Sequence, residues 1–220
     1  MANSIILCLC FSSLVILAAI QGIHAVDYTF TNTAANTPGG VRFTNEIGEQ
    51  YSIQTLDAAT NFIWKIFQQD TTPADRKNVQ KVSLFIDDMD GIAYTSKDEI
   101  HVSARYIQSD SGDVKTGFTG VLYHEMTHLN FTTLTGIADY VRLKAGYIAS
   151  HWVKPGEGDT WDQGYDVTAR SLDYCEGLRS GFVAELNKKM RDGYCNNYFV
   201  DLLGKTVDQL WMDYKAKYNT

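Results

Sequence analysis

Two histidines and a glutamate stand at a spacing that suits metal-dependent hydrolysis. Residues 124 to 128 read His-Glu-Met-Thr-His, which is the H-E-x-x-H motif. On a helix, positions i and i+4 project from one face, so the imidazoles of His124 and His128 can reach one metal ion. Glu125 lies beside them, where its carboxylate can take a proton from the attacking water. We therefore predict a site for one zinc ion with Glu125 as the general base. A helix with two structural histidines and a solvated glutamate is the alternative.

The motif needs a helix packed against a sheet, and the surrounding sequence predicts both. Alternating or β-branched runs predict strands at residues 27–33, 81–86, 92–94 and 100–107, and a Pro-Gly-Gly turn predicts a further strand at residues 41–44. Apolar residues at helical spacing predict helices at residues 51–67, 166–190 and 200–218, besides the motif helix. The predicted fold class is α+β, with a small mixed β-sheet in the N-terminal half packed on the motif helix and on further C-terminal helices.

The first 25 residues are predicted to be a secretory signal peptide. Residues 5–20 are an apolar run with two serines, and no charged side chain occurs before Asp27. Small Ala25 stands where a signal peptidase would cut. An uncleaved membrane anchor is the alternative, although the run is shorter than the roughly 20 residues that span a bilayer. The remaining chain, residues 26–220, shows no linker or composition break and is predicted to form a single domain.

The net charge of the chain limits the classes of partner that it is expected to bind. The formal charge of −7 argues against nucleic acid and anionic lipid, because both are bound by basic surfaces. We expect no membrane partner after signal cleavage.

Cys8 and Cys10 fall in the predicted signal peptide, which leaves Cys175 and Cys195 in the remaining chain. This even number in an oxidising compartment predicts one disulfide, with two free thiols, one in a helix and one in a loop, as the alternative.

The third ligand of the predicted zinc site is not evident. A catalytic zinc normally has three protein ligands and a water. The extended pattern H-E-x-x-H-x-x-G-x-x-H requires a glycine and a histidine where this chain has Phe131 and Leu134. Another class of zinc peptidases takes a glutamate from the following helix, which here begins at Thr135.

Further segments around the motif carry a family resemblance. They lie at residues 123–128, 136–147, 151–156 and 161–170. Together they resemble the plant basic secretory proteins, a group also described as peptidases of plants and bacteria, some of whose members are pathogenesis-related. The resemblance runs from about Val26 to the C-terminus. It implies a secreted, zincin-like protein of the apoplast or cell wall, with a zinc-peptidase site and a role in plant defence.

The chain departs from the family pattern at the third ligand. Family members carry a longer stretch after the second histidine, and it ends in a glutamate that resembles the third zinc ligand of related zincins. Here the corresponding position is Thr135, and a neutral hydroxyl is a poor zinc ligand. Asp139, one turn later, resembles the aspartate that orients a histidine ligand. The alternatives are that Asp139 or Glu157 ligates in place of the glutamate, or that the site has only two histidines and water and binds the metal more weakly. Asp139 would then be the orienting residue or an exposed helix carboxylate.

Three more residues are weaker candidates. His151 and Tyr165 are possible stabilisers of an oxyanion, with purely structural roles as the alternative. Asn130 begins the glycosylation sequon Asn130-Phe131-Thr132, two residues beyond His128.

Two functions stay open at the level of sequence. The first is a secreted zinc-dependent endopeptidase that acts on a peptide or protein substrate. The second is a non-catalytic, defence-related binding or structural protein on the same zincin scaffold. Intact His124, Glu125 and His128 favour the first function, whereas Thr135 favours the second. The sequence indicates neither the substrate specificity nor the oligomeric state.

Overall fold

The computed structural model describes residues 26–70, 73–130 and 135–218, which fold as a small sheet packed against helices. The strands are β1 (Asp27–Asn32), β2 (Lys81–Asp87), β3 (Ala93–Ser96) and β4 (Glu99–Ser103). The helices are α1 (Pro38–Glu46), α2 (Glu49–Ile66), α3 (Ala104–Ser109), α4 (Val114–Asn130), α5 (Thr135–Lys144), α6 (Tyr165–Leu178), α7 (Phe182–Lys189), α8 (Asn197–Leu203) and α9 (Val207–Tyr218), with 3₁₀ turns at Pro73–Asp75 and Met190–Asp192. This confirms the α+β class. The predicted signal peptide, including Cys8 and Cys10, lies outside the described residues.

The sheet is mixed, and its order is β1-β2-β4-β3. Strands β1, β2 and β4 run parallel, while β3 pairs antiparallel with β4 at the edge. The two-residue connection between β3 and β4 is Lys97-Asp98, and both residues have positive φ, at +50° and +62°. Two successive left-handed residues are what a type I′ hairpin turn requires, and such a turn fixes the register of the strands it joins.

The two faces of the sheet differ in burial because side chains alternate along a strand. On β2, Leu84 and Ile86 are fully buried and face the core, whereas Phe85 is only partly buried. On β4, Ile100 is fully buried and His101 is partly buried. The register sets Phe85 beside His101, so these two rings share the less buried face. The helices cover the other face.

Helix α1 replaces the strand that was predicted at residues 41–44, and that prediction is wrong. The Thr37 side chain accepts a hydrogen bond from the Gly40 amide at 3.1 Å, and Pro38 occupies the first helical position, so both are helix-start signals. The glycines serve close packing. A Cβ on Gly39 would lie 1.8 Å from the carbonyl oxygen of Ala104, and one on Gly40 would lie 1.9 Å from that of Ala34.

Other predicted elements were too long. The strand predicted at residues 100–107 ends at Ser103, whose hydroxyl accepts a hydrogen bond from the Tyr106 amide and caps α3. The helix predicted at residues 166–190 is interrupted before Gly181, which has a φ of +82°. Gly204, with a φ of +71°, separates α8 from α9 in the same way. Within the described ranges, every helix is too short or too polar to cross a membrane.

The predicted disulfide between Cys175 and Cys195 is wrong, and both cysteines are free thiols. Cys175 points from α6 into the core and is 1% exposed. Its apolar surroundings raise the pKa of the thiol to about 12. Cys195 is exposed in the loop before α8. The structure therefore matches the alternative of one buried helical thiol and one loop thiol.

Helix α4 carries the H-E-x-x-H motif and packs on α2 and α5 and beside β3. Its apolar side chains are buried, as the sequence pattern predicts: Val121, Leu122, Met126 and Leu129. Burying each large aliphatic side chain stabilises the fold by about 1.5–3 kcal/mol. The helix that carries the motif is therefore anchored in the core on one side, and its histidines emerge on another.

Candidate active site

Helix α4 places both motif histidines on one side, as their spacing predicts. The Nε2 atoms of His124 and His128 are 3.1 Å apart. Two nitrogens held by a tetrahedral zinc at about 2.0–2.1 Å lie roughly 3.3 Å from each other, so this pair fits two coordination positions of one ion. Burial lowers the pKa of His128 to about 4, which keeps the imidazole neutral at physiological pH. A neutral imidazole is the form that binds a metal.

Asp139 holds His124 from the opposite side of the ring. Its Oδ1 lies 2.6 Å from the Nδ1 of His124, and the Asp139 side chain is only 4% exposed. Because a carboxylate only accepts hydrogen bonds, the ring proton of neutral His124 is on Nδ1. The Nε2 lone pair is then left facing His128. Asp139 is therefore not the exposed helix carboxylate of the sequence alternative.

Glu125 is buried and is held by Thr95 from strand β3. The Thr95 hydroxyl donates to Oε2 of Glu125 at 2.7 Å, and it also lies 3.2 Å from the Glu125 backbone oxygen. Burial raises the pKa of Glu125, and the hydrogen bond from Thr95 opposes this effect. A carboxylate whose pKa is raised toward neutrality is suited to accept a proton.

The predicted site residues line one cleft of about 780 Å³. Its walls come from β3, α4, α5 and the chain that enters α6. The structure brings together His124, Glu125, His128, Thr135, Asp139, His151 and Tyr165. Apolar surface is added by Ile92, Tyr94, Val121 and Trp152. The arrangement therefore combines two imidazole nitrogens of a kind that can bind a metal with a buried carboxylate in a solvent-accessible cleft, which is chemically suited to hydrolysis.

Tyr165 and His151 lie at the rim of this cleft. Both are exposed, and the exposed fraction of Tyr165 is 62%. Tyr165 also has a φ of +46°, in the left-handed region that costs roughly 1–2 kcal/mol for a residue with a side chain. Strain of this kind tends to occur at ligand-binding positions. Tyr165 therefore lines the cleft with a backbone conformation that is unfavourable for a residue with a side chain.

Comparison with known proteins assigns the family. A family model described as peptidase of plants and bacteria matches residues 23–214. The chain belongs to this peptidase family. It is also similar to a protein named basic secretory protease from Boswellia serrata, with 50% identity over 58 residues. That match covers 26% of this chain and 66% of the relative, so it spans just under two thirds of the relative's length. No solved structure matches the chain.

In this member of the peptidase family, Thr135 lines the cleft at the position where the family resemblance leads us to expect a glutamate. Among residues 26–70, 73–130 and 135–218, no group of three or more His, Cys, Asp or Glu side chains is arranged to hold a metal ion. The Oδ1 of Asp139 is engaged by His124. Glu157 is exposed and lies outside the cleft lining, where its Oε2 accepts a hydrogen bond from the Lys154 amide at 2.8 Å. The described residues therefore fit a zinc ion with two of the usual three protein ligands.

Sequence reasoning missed two cleft residues in this member of the family. Thr95 could have been found from strand alternation, because it pairs with buried Ile100 and so faces the helices. Arg142 lies three residues after Asp139 on α5 and also lines the cleft. The glycosylation candidate Asn130 is the last residue of α4, and the rest of its sequon lies outside the described residues.

Proposed function

We propose that this chain is a secreted zinc-dependent endopeptidase of zincin-like fold, with a role in plant defence and with two protein ligands on its metal. The observation that carries the proposal is the 3.1 Å approach of the His124 and His128 Nε2 atoms beside buried Glu125 in an open cleft. Family membership supports the hydrolytic class. The name of the Boswellia serrata relative and the apolar N-terminus support secretion.

The chemistry divides among the cleft residues. When bound, zinc supplies a Lewis acid that polarises the scissile carbonyl. His124 and His128 would hold the ion through Nε2, and Asp139 would keep the His124 proton on Nδ1. Glu125 takes the proton of the attacking water and passes it to the departing amine nitrogen, so that no charge is left on the amine.

The edge strand β3 supplies a surface for an extended peptide. It is the outermost strand at one end of the described sheet and lines the cleft. A peptide that pairs with such an edge binds through main-chain hydrogen bonds and is read through alternate side chains. The exposed side chains of Ile92 and Tyr94 offer apolar contacts there. Tyr165 and His151 also line the cleft, where they can donate hydrogen bonds to the developing oxyanion.

Thr135 favours a second function. Without a carboxylate at this position the cleft can hold a peptide but has a weakened metal site. A non-catalytic, defence-related binding or structural protein on the same scaffold would need the cleft and not the ion.

Elemental analysis of the purified protein separates the two functions. After purification in the presence of zinc, we expect about one zinc ion per chain. The His124→Ala variant should lose the ion. The matched control is His101→Ala, because His101 lies on the sheet and outside the cleft lining. This variant should keep the zinc ion. Less than about a tenth of an equivalent of zinc in the unaltered protein would refute the peptidase proposal and leave the binding function.

Restoring the missing carboxylate tests the position of the third ligand. Because Thr135 lines the cleft with both histidines, Thr135→Glu should raise zinc affinity, measured by competition with a chelator. The isosteric neutral variant Thr135→Val is the control and should not raise it. Equal affinities for the glutamate variant and the unaltered protein would mean that position 135 does not reach the metal.

A further inference from the structure

Arg142 is a partly buried cation in the wall of the cleft. Its Nε donates to the backbone oxygen of Tyr147 at 2.8 Å, and its guanidinium lies 5.5 Å from the centre of the Trp152 ring. These contacts hold the head group in one orientation. Burial lowers the pKa of the guanidinium, yet an arginine remains charged at physiological pH.

The charge of Arg142 has no directly bonded counter-ion in the part of the chain that the structure describes. Among residues 26–70, 73–130 and 135–218, no carboxylate lies within 4.0 Å of its nitrogens and no acceptor is hydrogen-bonded to Nη1 or Nη2. The acidic group that attracts it most is Asp139, whose Oδ1 is bonded to His124. A guanidinium presents paired N–H groups that match the two oxygens of a carboxylate. Arg142 therefore offers an orientated, unused anion receptor.

Gly120 makes room for this receptor. A Cβ at Gly120 would lie 2.6 Å from Nε and 3.0 Å from Nη2 of Arg142, so the guanidinium lies directly against the glycine backbone. Gly120 precedes His124 by four residues on α4, which is about 6 Å along a helix axis. That distance corresponds to roughly two residues of extended peptide.

We propose that Arg142 binds a carboxylate of the peptide held in the cleft, so that the site selects peptides carrying a negative charge within about two residues of the reacting bond. The carboxylate comes either from an acidic side chain or from a free C-terminus. This inference rests on the proposed function in one respect, namely that the ligand of the cleft is a peptide.

The test measures binding without turnover. The protein is the full chain with Glu125→Gln, and the probe is the acetylated peptide Ala-Phe-Ala-Phe-Ala, titrated calorimetrically as its free acid and as its amide. A second pair of amidated probes carries Asp or Asn at the central position. We expect at least one acid form to bind about tenfold tighter than its neutral partner. The first pair reports a C-terminal carboxylate and the second pair a side-chain carboxylate.

Changes at Arg142 should remove this preference. In Arg142→Gln the acid and neutral probes should bind equally, whereas Arg142→Lys keeps the charge without the planar fork and should retain a smaller preference. A merely structural role would weaken both members of a pair alike and leave their ratio unchanged. Thermal unfolding of each variant checks that the fold is retained.

A glycine pair keeps the inference testable if Arg142→Gln does not fold. Gly120→Ala should displace the flexible end of Arg142 and lower the acid-to-neutral ratio severalfold, because the added Cβ meets the guanidinium. Gly177→Ala is the control, since a Cβ there meets nothing within 4 Å, and it should leave the ratio unchanged.

Three results would overturn the inference: no acid preference in the Glu125→Gln protein, a preference that persists without Arg142, or no binding of any acid probe. Failure of the proposed function is seen separately, in zinc content and cleavage. A chain that holds no zinc but shows the Arg142-dependent preference would retain the carboxylate site and lose the peptidase proposal.

Discussion

Two histidine–aspartate pairs in this protein have nearly the same local geometry. In the cleft, Nδ1 of His124 lies 2.6 Å from Asp139, and on the sheet, Nδ1 of His101 lies 2.5 Å from Asp87. The histidine side chains are also similarly buried, at 13% and 16% exposed. Neither the aspartate contact nor the burial distinguishes the two histidines.

The two pairs differ in the groups that surround the Nε2 atom and the faces of the imidazole ring. His101 is stacked between Phe85 and Tyr94, with ring centres 4.8 and 4.6 Å away, and its Nε2 is 3.7 Å from Glu99. The Nε2 of His124 instead meets His128 at the cleft. An aspartate partner therefore sets the tautomer of a histidine, whereas the surroundings of the second nitrogen decide whether it can bind a metal.

The largest expected contrast concerns the glutamate that accompanies each pair. Glu125→Gln should lower peptide cleavage by about 10²–10⁴-fold, because the amide cannot accept the proton, while zinc content stays unchanged. Glu99→Gln, beside His101, should leave both quantities unaltered. Steady-state cleavage assays and elemental analysis provide the measurements. Equal activity of the two variants would mean that the cleft glutamate is not the base.

A second contrast concerns the aspartates. Asp139→Asn should weaken zinc binding by about 10–100-fold, since the histidine loses the carboxylate that orients it. Asp87→Asn should change zinc affinity by less than about twofold, because His101 lies outside the cleft. Competition with a chelator measures both affinities. If Asp87→Asn weakened zinc binding as strongly, the cleft pair would have no special role.

The smallest expected contrast concerns two strand threonines. Thr95→Val removes the donor to Glu125 and should lower kcat by about threefold to tenfold with little change in KM, and Thr95→Ser should restore it. Thr29→Val on β1 removes an exposed hydroxyl contact to Ser83 on β2 and should have no effect on kcat. An unchanged kcat in Thr95→Val would show that packing alone holds Glu125.

Local patterns predicted the parts of the site that lie on one element. The spacing of His124 and His128 was sufficient to place both imidazoles together, because a helix has a fixed period. Thr95 required the pairing of β3 with β4 and the packing of α4 on that strand, which no local pattern contains. Arg142 was missed for a related reason, since its significance comes from the lack of a directly bonded carboxylate among the described residues, which is a tertiary property.

The wrong predictions arose where one local signal has two meanings. The Pro-Gly-Gly segment was interpreted as a turn, yet Pro38 begins a helix and the glycines allow α1 to approach Ala34 and Ala104. The cysteine count predicted a disulfide, but the position of Cys175 inside the core is a tertiary property. Chain-wide packing decided both cases.

The hairpin turn at Lys97-Asp98 has a consequence for the tolerance of this site to deletions in the turn. The side chains of neighbouring residues on β3 point to opposite faces of the sheet. The Thr95 hydroxyl is hydrogen-bonded to Glu125 on one face, and the Tyr94 ring is stacked on His101 on the other. Loss of one residue, with a two-residue turn re-formed, would slide β3 by one position so that Tyr94 pairs with Ile100 and the faces are exchanged, since side chains alternate with a period of two. A tyrosine ring would then occupy the place of the hydroxyl that Glu125 needs. Length variation in this two-residue loop is therefore a sensitive marker of whether a related sequence keeps the same base environment.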